Sequence, residues 1–527
     1  MKYPVGIQSF SDIIQSDYVY VDKTDLVYSL AKEGKIYFLS RPRRFGKSLL
    51  LSTLESYFLG RKELFKGLKI EKLEKEWKQH AVFRLDFNGI NFNDPEVLQR
   101  ELNARIASWE ARFGIESESD DYRFGIRCER LFRTAKEQTG QGAVVLIDEY
   151  DKPLLDVMEV DDELLARNRE TLKAFYSVFK LSDDYLRFVF LTGVTKFSQI
   201  TVFSGFNQPL DISMSEAYET ICGITEEELY SYFSSSIHEL ATHYRCSEEE
   251  MKERLKHQYD GYHFNERMTD LYNPFSLLSA FRINRLSDFW FSSGTPTFLI
   301  RLLNHYNENM DELAGKYYTE NEFINYRADK ERPLPMIYQS GYLTIKDYDA
   351  RRHRYLLDFP NAEVQQGFLT MIANNYLNTQ QSPDSLAQDL VIHLEDDELE
   401  LFQSELTAFF ASIPYSMRRK ENEPERERYF HYTFYLLLRL MSVYTVYTEK
   451  EQSQGRVDCI IETPKYVYIF EFKLDGTAAE ALQQIEDKGY ARPYVADSRP
   501  VRLIGVNFSS EKGTIDDWTV KESHQSL

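Results

Sequence analysis

Gly46, Lys47 and Ser48 stand where an apolar strand pattern, KIYFLS, gives way at once to a helical one. The intervening stretch RPRRFGKS therefore joins a strand to a helix and closes with the GK[ST] end of a P-loop. Each residue type there suits a phosphate. Backbone N–H groups at a helix N-terminus attract anions. The Lys47 ammonium is a flexible point charge for β- and γ-phosphates, and the Ser48 hydroxyl is a ligand for Mg²⁺. Arg41 replaces the usual first glycine, and Pro42 contributes no N–H. Either Arg41 takes a backbone conformation that glycine adopts more easily, or the loop has another shape, with Arg43 and Arg44 facing the phosphates in compensation. A second apolar run, Ala143 to Ile147, ends in Asp148 and Glu149, as a Walker B strand does. There Asp148 orients Mg²⁺ through water, and Glu149 polarises the attacking water. Thr192 ends a third apolar run, and two readings of it stand: it senses the γ-phosphate, or it turns the chain with Gly193.

A different set lies near the C-terminus. Asp458 falls near the start of one strand pattern, and Glu471-Phe472-Lys473 ends the next. Glu471 and Lys473 are two residues apart, so on a strand they share a face. A tight connection through Pro464 brings Asp458 beside them. Two carboxylates and the Phe472 carbonyl make an all-oxygen site for Mg²⁺ or Mn²⁺, and Lys473 is placed to orient or deprotonate a water attacking phosphorus. This is the D…ExK arrangement of metal-dependent nucleases. The spacing alone fits a surface hairpin with a Glu–Lys pair equally well; a helix before the hairpin and another after it, carrying Gln483 and Gln484, favour the metal site.

The elements that must position these residues fall into three stretches. Residues 1–222 alternate strands (Ile36 to Leu39, Val82 to Phe87, Ala143 to Ile147, Phe188 to Leu191) with helical patterns such as Ser48 to Phe58, Glu96 to Phe113 and Asn168 to Lys180. That alternation predicts an α/β domain whose mostly parallel sheet is covered on both faces. Residues 223–415 are mainly helical, opening with Thr225 as an N-cap and Glu228 at the capping-box position. Tyr338 to Tyr348 suggests a small sheet there, and Glu331 to Tyr348 a winged-helix-like piece. Residues 416–527 begin with a charged linker, Ser416 to Glu427, and continue as a separate α/β unit: a helix Tyr429 to Met441, strands Val457 to Ile461 and Tyr466 to Phe472, a helix Ala478 to Lys488 and a strand Val501 to Asn507.

Bulk composition narrows the function classes. With 527 residues the chain is long enough for about three domains. A net charge of -21 argues against a protein that coats nucleic acid through a basic surface, although it leaves room for a local groove. The basic clusters Arg351 to Arg354 and Arg418 to Lys420 read as solvated faces. No apolar run reaches the ~20 residues that span a bilayer, and MKYPVGIQSF is unlike a signal peptide. The four cysteines are scattered without a CxxC pair, which fits a reducing cytoplasm. His257 and His263 are too loosely spaced for zinc and read as structural, and His431 as packing on its helix. The many Tyr and Phe residues read as core rather than as a base-stacking platform.

With both residue sets in hand, the chain resembles the bacterial and archaeal family that joins an AAA-ATPase-like domain to a PD-(D/E)XK nuclease-like domain. The likeness rests on Tyr20-Val21-Asp22-Lys23-Thr24, RPRRFGKS, LIDEYDKP, LTGVTKFS, YDGYHF, YNPFS, YQSGYLTI, ERYFH, GRVDCII, EFKLDG and QQIEDKGYA. It implies a P-loop NTPase domain, a mainly helical middle or lid region and a restriction-endonuclease-like α/β domain. It makes the missing first glycine a family trait. Asp458, Glu471 and Lys473 match the nuclease signature, Glu427 its preceding acidic residue, and Gln484 and Tyr490 its Q…Y element. The implied cofactors are ATP with Mg²⁺, and Mg²⁺ or Mn²⁺ at the nuclease-like site. The implied partner is DNA or RNA, and AAA-like sites completed by an arginine across a subunit interface imply a homo-oligomer. An ATPase coupled to phosphodiester cleavage is the leading expectation. Its alternative is a nucleotide-dependent switch or scaffold whose nuclease-like domain only binds partners, and a third reading is an ATPase that regulates transcription.

Overall fold

The computed structural model describes residues 1–116, 123–158, 160–196, 209–293, 313–324, 333–377, 383–412, 433–434, 436–438, 440–441, 445–452 and 455–523. Glu427, the linker 416–427, the cluster 418–420 and His431 lie outside the described residues. The chain divides into two compact units, Met1–Val364 and Gln365–Leu527.

The first unit is built on a five-stranded sheet of β1 (Ile36–Ser40), β2 (Val82–Asp86), β3 (Ala143–Asp148), β4 (Leu186–Gly193) and β5 (Leu210–Asp211), in the order β2-β3-β4-β1-β5. All pairings are parallel. β3 is buried along its whole length, because helices cover both faces of a parallel sheet. The order places β4 between the strand that enters the phosphate-binding loop and the strand that ends in Asp148. Both therefore deliver their C-terminal ends to the same edge of the sheet.

The middle helices belong to this unit. The helix Glu226–Tyr244 starts with the capping box of Thr225 and Glu228, and Ser247 caps the next helix, Glu248–Tyr259. Asn273 caps a third, Pro274–Ile283, with a proline in its first turn. Leu229, Phe233, Ile237, Leu240, Met251, Leu255 and Phe281 close one core, onto which Tyr3, Val19 and Val21 from the chain start also pack. The segment Tyr20 to Thr24 ties that core to the sheet side: Lys23 pairs with Glu228 at 2.6 Å, and Asp22 accepts from the Lys69 N–H at 2.7 Å. β6 (Ile224–Thr225) pairs with β7 (Leu271–Tyr272). A small antiparallel sheet, β8 (Lys316–Tyr318), β10 (Arg354–Asp358) and β9 (Thr344–Asp349) in that order, follows the helices.

The second unit holds a mixed sheet of β11 (Thr445–Gln452), β12 (Gly455–Glu462), β13 (Val467–Leu474), β14 (Val501–Ser509) and β15 (Thr514–Glu522), ordered as numbered. Only β13 and β14 are parallel, because the helix Ala478–Lys488 crosses between them. Alternation along β13 splits its side chains. Phe470 and Phe472 pack towards Phe402 of the helix Leu399–Ser412 and towards Phe434, while Ile469 joins Ile485 and Tyr490 in a core on the opposite face. Residues 365–415 belong to this unit, since helix Leu399–Ser412 covers its sheet. Among the described residues, no helix is long and apolar enough to cross a membrane.

Candidate functional site

β1 ends at Ser40, whose hydroxyl donates to the Val194 carbonyl at 2.6 Å and so fixes the start of the loop beside the end of β4. Arg41 does not face solvent. Its guanidinium is 1% exposed and donates to the carbonyls of Ser213 and Glu219 at 2.6 and 3.3 Å, stacked on Phe264. The left-handed residues are Arg44 (φ 63°) and Gly46 (φ 96°), so the loop has another shape from one in which Arg41 stands in for glycine. Gly46 is the N-cap of the helix Lys47–Phe58, and only its backbone conformation demands glycine, since a Cβ would meet nothing within 4 Å. The Lys47 ammonium is held over the loop, donating to the carbonyls of Arg41 and Pro42 at 3.0 and 3.1 Å.

Arg43, Arg44, Gly46, Lys47, Ser48 and Glu149 all line one cavity of about 470 Å³. Its polar side is completed by Asn88, Lys152 and Asp156. Its apolar side comes from Pro4, Val5 and Ile7 of the chain start and from Pro274, Phe275 and Leu278 of the third middle helix. One wall is therefore charged and polar, and the other apolar. Asp148 lies behind this wall at 1% exposure. One oxygen accepts from the Glu149 N–H at 3.1 Å, and the other, Oδ2, has no hydrogen-bond partner. Burial pushes its pKa up to about 6; the Ser48 hydroxyl lowers it, and Glu149 raises it again. Glu149 itself sits in the left-handed region at φ 52°, a conformation that costs a non-glycine residue about 1–3 kcal/mol and gathers at functional sites. Thr192 is fully buried inside β4, opposite Leu39 of β1; it does not line the cavity, and its carbonyl accepts from the Tyr150 N–H at 3.1 Å.

Sequence reasoning passed over Asp151. This fully buried carboxylate accepts from the N–H groups of Val194 and Thr195 at 3.0 and 2.6 Å and from the Thr195 hydroxyl at 2.7 Å. Burial raises its pKa, with Glu149 adding to the shift. It ties the turn after β3 to the turn after β4, and Gly193 lets it do so: a Cβ there would lie 2.5 Å from the Asp151 oxygen. Asp86 was also passed over. It pairs in register with Asp148 and raises the pKa of that residue; the signal was present in a strand, VFRLD, ending in an acid and followed by Asn88.

In the second unit, β12 and β13 bring Asp458 and Glu471 onto neighbouring strands. Asp458 accepts from the Phe472 N–H at 2.8 Å. Glu471, 2% exposed, accepts from the Gln484 amide, and the same amide accepts from the Lys473 ammonium at 2.6 Å. Gln484 thus spans the two ends of the ExK pair, as expected if both face one way on β13. Tyr490 is buried beside this group: burial raises its pKa, Glu471 raises it further, and Gln484 lowers it. Gly505 pairs with Glu471 in register, and a Cβ on it would stand 2.1 Å from the Ala478 carbonyl. Glycine there lets the helix that carries Gln484 lie directly on the sheet. The described residues hold no cluster of three or more His, Cys, Asp and Glu side chains suited to a metal. The carboxylates at this place are those of Asp458 and Glu471, oxygen donors of a kind that fits Mg²⁺ or Mn²⁺.

Comparison with known proteins bears on both units. Residues 4–203 match the family described as Predicted AAA-ATPase, and residues 425–518 match the PD-(D/E)XK nuclease superfamily. A protein of Azotobacter chroococcum mcd 1, described as an uncharacterized protein in the vnfD 5' region, is 34% identical over 525 residues, covering 99% of each chain. The chain belongs to the AAA-ATPase-like family with a C-terminal PD-(D/E)XK nuclease-superfamily domain. In this AAA-ATPase-like protein the parallel sheet and the mixed sheet are the α/β frames of those two domains. The loop and strand-end residues of the cavity lie in the first domain, with Pro274, Phe275 and Leu278 added from outside the matched stretch, and the Asp458–Glu471–Lys473 group lies in the second.

Proposed function

We propose that this protein binds and hydrolyses ATP at the first site and that this activity controls metal-dependent cleavage of DNA or RNA phosphodiesters at the second. The observation that supports this most is that one chain carries two sets of side chains suited to phosphoryl groups, one around the loop after β1 and the end of β3, the other on the neighbouring strands β12 and β13. At the first site Lys47 and the loop N–H groups bind phosphate oxygens, and Glu149 orients the attacking water and takes its proton. Ser48 and Asp148 would hold Mg²⁺; the unpartnered, buried Asp148 oxygen fits such an ion. At the second site Asp458 and Glu471 would hold Mg²⁺ or Mn²⁺, and Lys473 polarises the water. Gln484 sets the positions of Lys473 and Glu471 together. A divalent ion bound at either place supplies neutralisation of charge on the phosphoryl oxygens.

The test is a pair of assays on the full chain. ATP hydrolysis is expected to fall at least ~100-fold in Lys47→Ala, and Mn²⁺-dependent cleavage by a similar factor in Lys473→Ala. Wild-type protein that cleaves neither single- nor double-stranded DNA or RNA with Mg²⁺ or Mn²⁺ would instead support a nucleotide-dependent scaffold.

A further inference from the structure

The phosphate-binding loop is held from outside the cavity by a residue 247 positions away. The Trp290 indole N–H donates to the Arg43 carbonyl at 3.0 Å. The Trp290 backbone N–H donates to the Glu363 carboxyl at 2.6 Å, and its ring packs edge-on against Tyr342 at 5.1 Å. Trp290 is buried and does not line the cavity, whereas Arg43 and Arg44 do. The Arg43 carbonyl and the Arg44 N–H belong to one planar peptide and point in opposite directions. An indole that draws the carbonyl outward therefore turns the Arg44 N–H the other way, towards the side on which the cavity lies. Arg44 is also one of the two left-handed residues of the loop, so this peptide plane lies where the chain turns.

Glu363 continues the chain of contacts. It is fully buried, sits in the first turn of the helix Ala362–Leu377, and that helix contains the boundary between the two units. We propose that Trp290 is a positioning residue that aims the Arg43–Arg44 peptide at bound phosphate, and that through Glu363 it couples nucleotide binding to the start of the helix Ala362–Leu377. This rests on the reading of the cavity as an ATP site. Phosphate binding to the Arg44 N–H polarises the same peptide whose carbonyl Trp290 holds, so the two interactions strengthen each other. By linkage, whatever loosens Trp290 weakens nucleotide, and nucleotide tightens Trp290 and Glu363.

The test follows ATP affinity and amide hydrogen exchange of residues 362–377 in the full chain. Wild type is expected to bind ATP and to show slower exchange at the start of that helix when ATP is present. Trp290→Phe keeps the ring against Tyr342 but loses the N–H; ATP affinity should fall about tenfold and the ATP-dependent exchange change should vanish. Glu363→Gln keeps an acceptor for the Trp290 backbone and should retain the response, whereas Glu363→Ala should lose it while still binding ATP. The relay is overturned if Trp290→Phe binds ATP as wild type does, if its helix still responds to ATP, or if Glu363→Gln loses the response. A wild type that binds no ATP defeats the nucleotide-site reading itself, and the relay with it; a wild type that binds ATP without any exchange change defeats the relay alone.

Discussion

Asp148 carries a full negative charge into a place where one of its oxygens meets no donor. Burial holds its pKa up near 6, so the folded chain bears a cost at neutral pH that a bound cation would offset. Asp148→Asn is expected to make the free protein more stable by about 1–2 kcal/mol in denaturant melts while abolishing ATP hydrolysis; a less stable variant would mean the charge is already compensated. Glu363 is a second buried acid, pushed up to about 8 by burial, with Asp288 raising it further and Ser276 and the N–H groups of Trp290 and Phe289 opposing. Between its ordinary 4.5 and about 8 the folded chain holds a proton that the unfolded chain has lost. Its contribution to stability is therefore complete below 4.5 and declines as pH rises towards 8. Glu363→Gln, neutral at every pH, should melt close to wild type at pH 5 and above it at pH 8. Equal melting shifts for both proteins across that range would contradict the assignment.

The elements that carry the candidate sites depend on close approaches at single glycines. Gly505→Ala places a methyl group against the Ala478 carbonyl and the Leu482 N–H, both backbone atoms that cannot step aside singly. The helix Ala478–Lys488 must shift, at a cost of about 1–3 kcal/mol, and Gln484 shifts with it. Loss of stability together with loss of cleavage is the expected result, read by denaturant melts and a nuclease assay; cleavage retained at wild-type rate would detach Gln484 from the site. Sequence did reveal the strands that bear chemistry. β1 to β4 are apolar runs ending in polar residues, because a strand covered on both faces needs apolar side chains throughout. It did not reveal β15, TIDDWTVKE, because an edge strand with one solvated face carries charge and shows no such run. Likewise β5 is only Leu210–Asp211, too short to leave a pattern. The candidate residues at Lys47, Ser48, Glu149, Glu471 and Lys473 were legible because their types and spacing fall at strand and helix patterns that the sequence also shows. Asp151 and Gln484 differ in that respect: Asp151 acts on Thr195, 44 residues later, and a partner at that distance leaves no local trace. Gln484 was noticed on the helix after the hairpin, and its place in the Q…Y element came through resemblance.

At the scale of the whole molecule, the AAA-ATPase-like and nuclease-like domains fall in separate compact units. The formal charge of -21 spread over the chain makes non-specific binding to nucleic acid unfavourable, so any engagement must come from a local surface and be sensitive to salt. The most direct test measures Mn²⁺-dependent cleavage with and without ATP in wild type, Lys47→Ala and Lys473→Ala. The coupled account predicts ATP-dependent cleavage in wild type and loss in both variants, with ATP hydrolysis surviving in Lys473→Ala. Cleavage undiminished in Lys47→Ala, or equal with and without ATP in wild type, would contradict it.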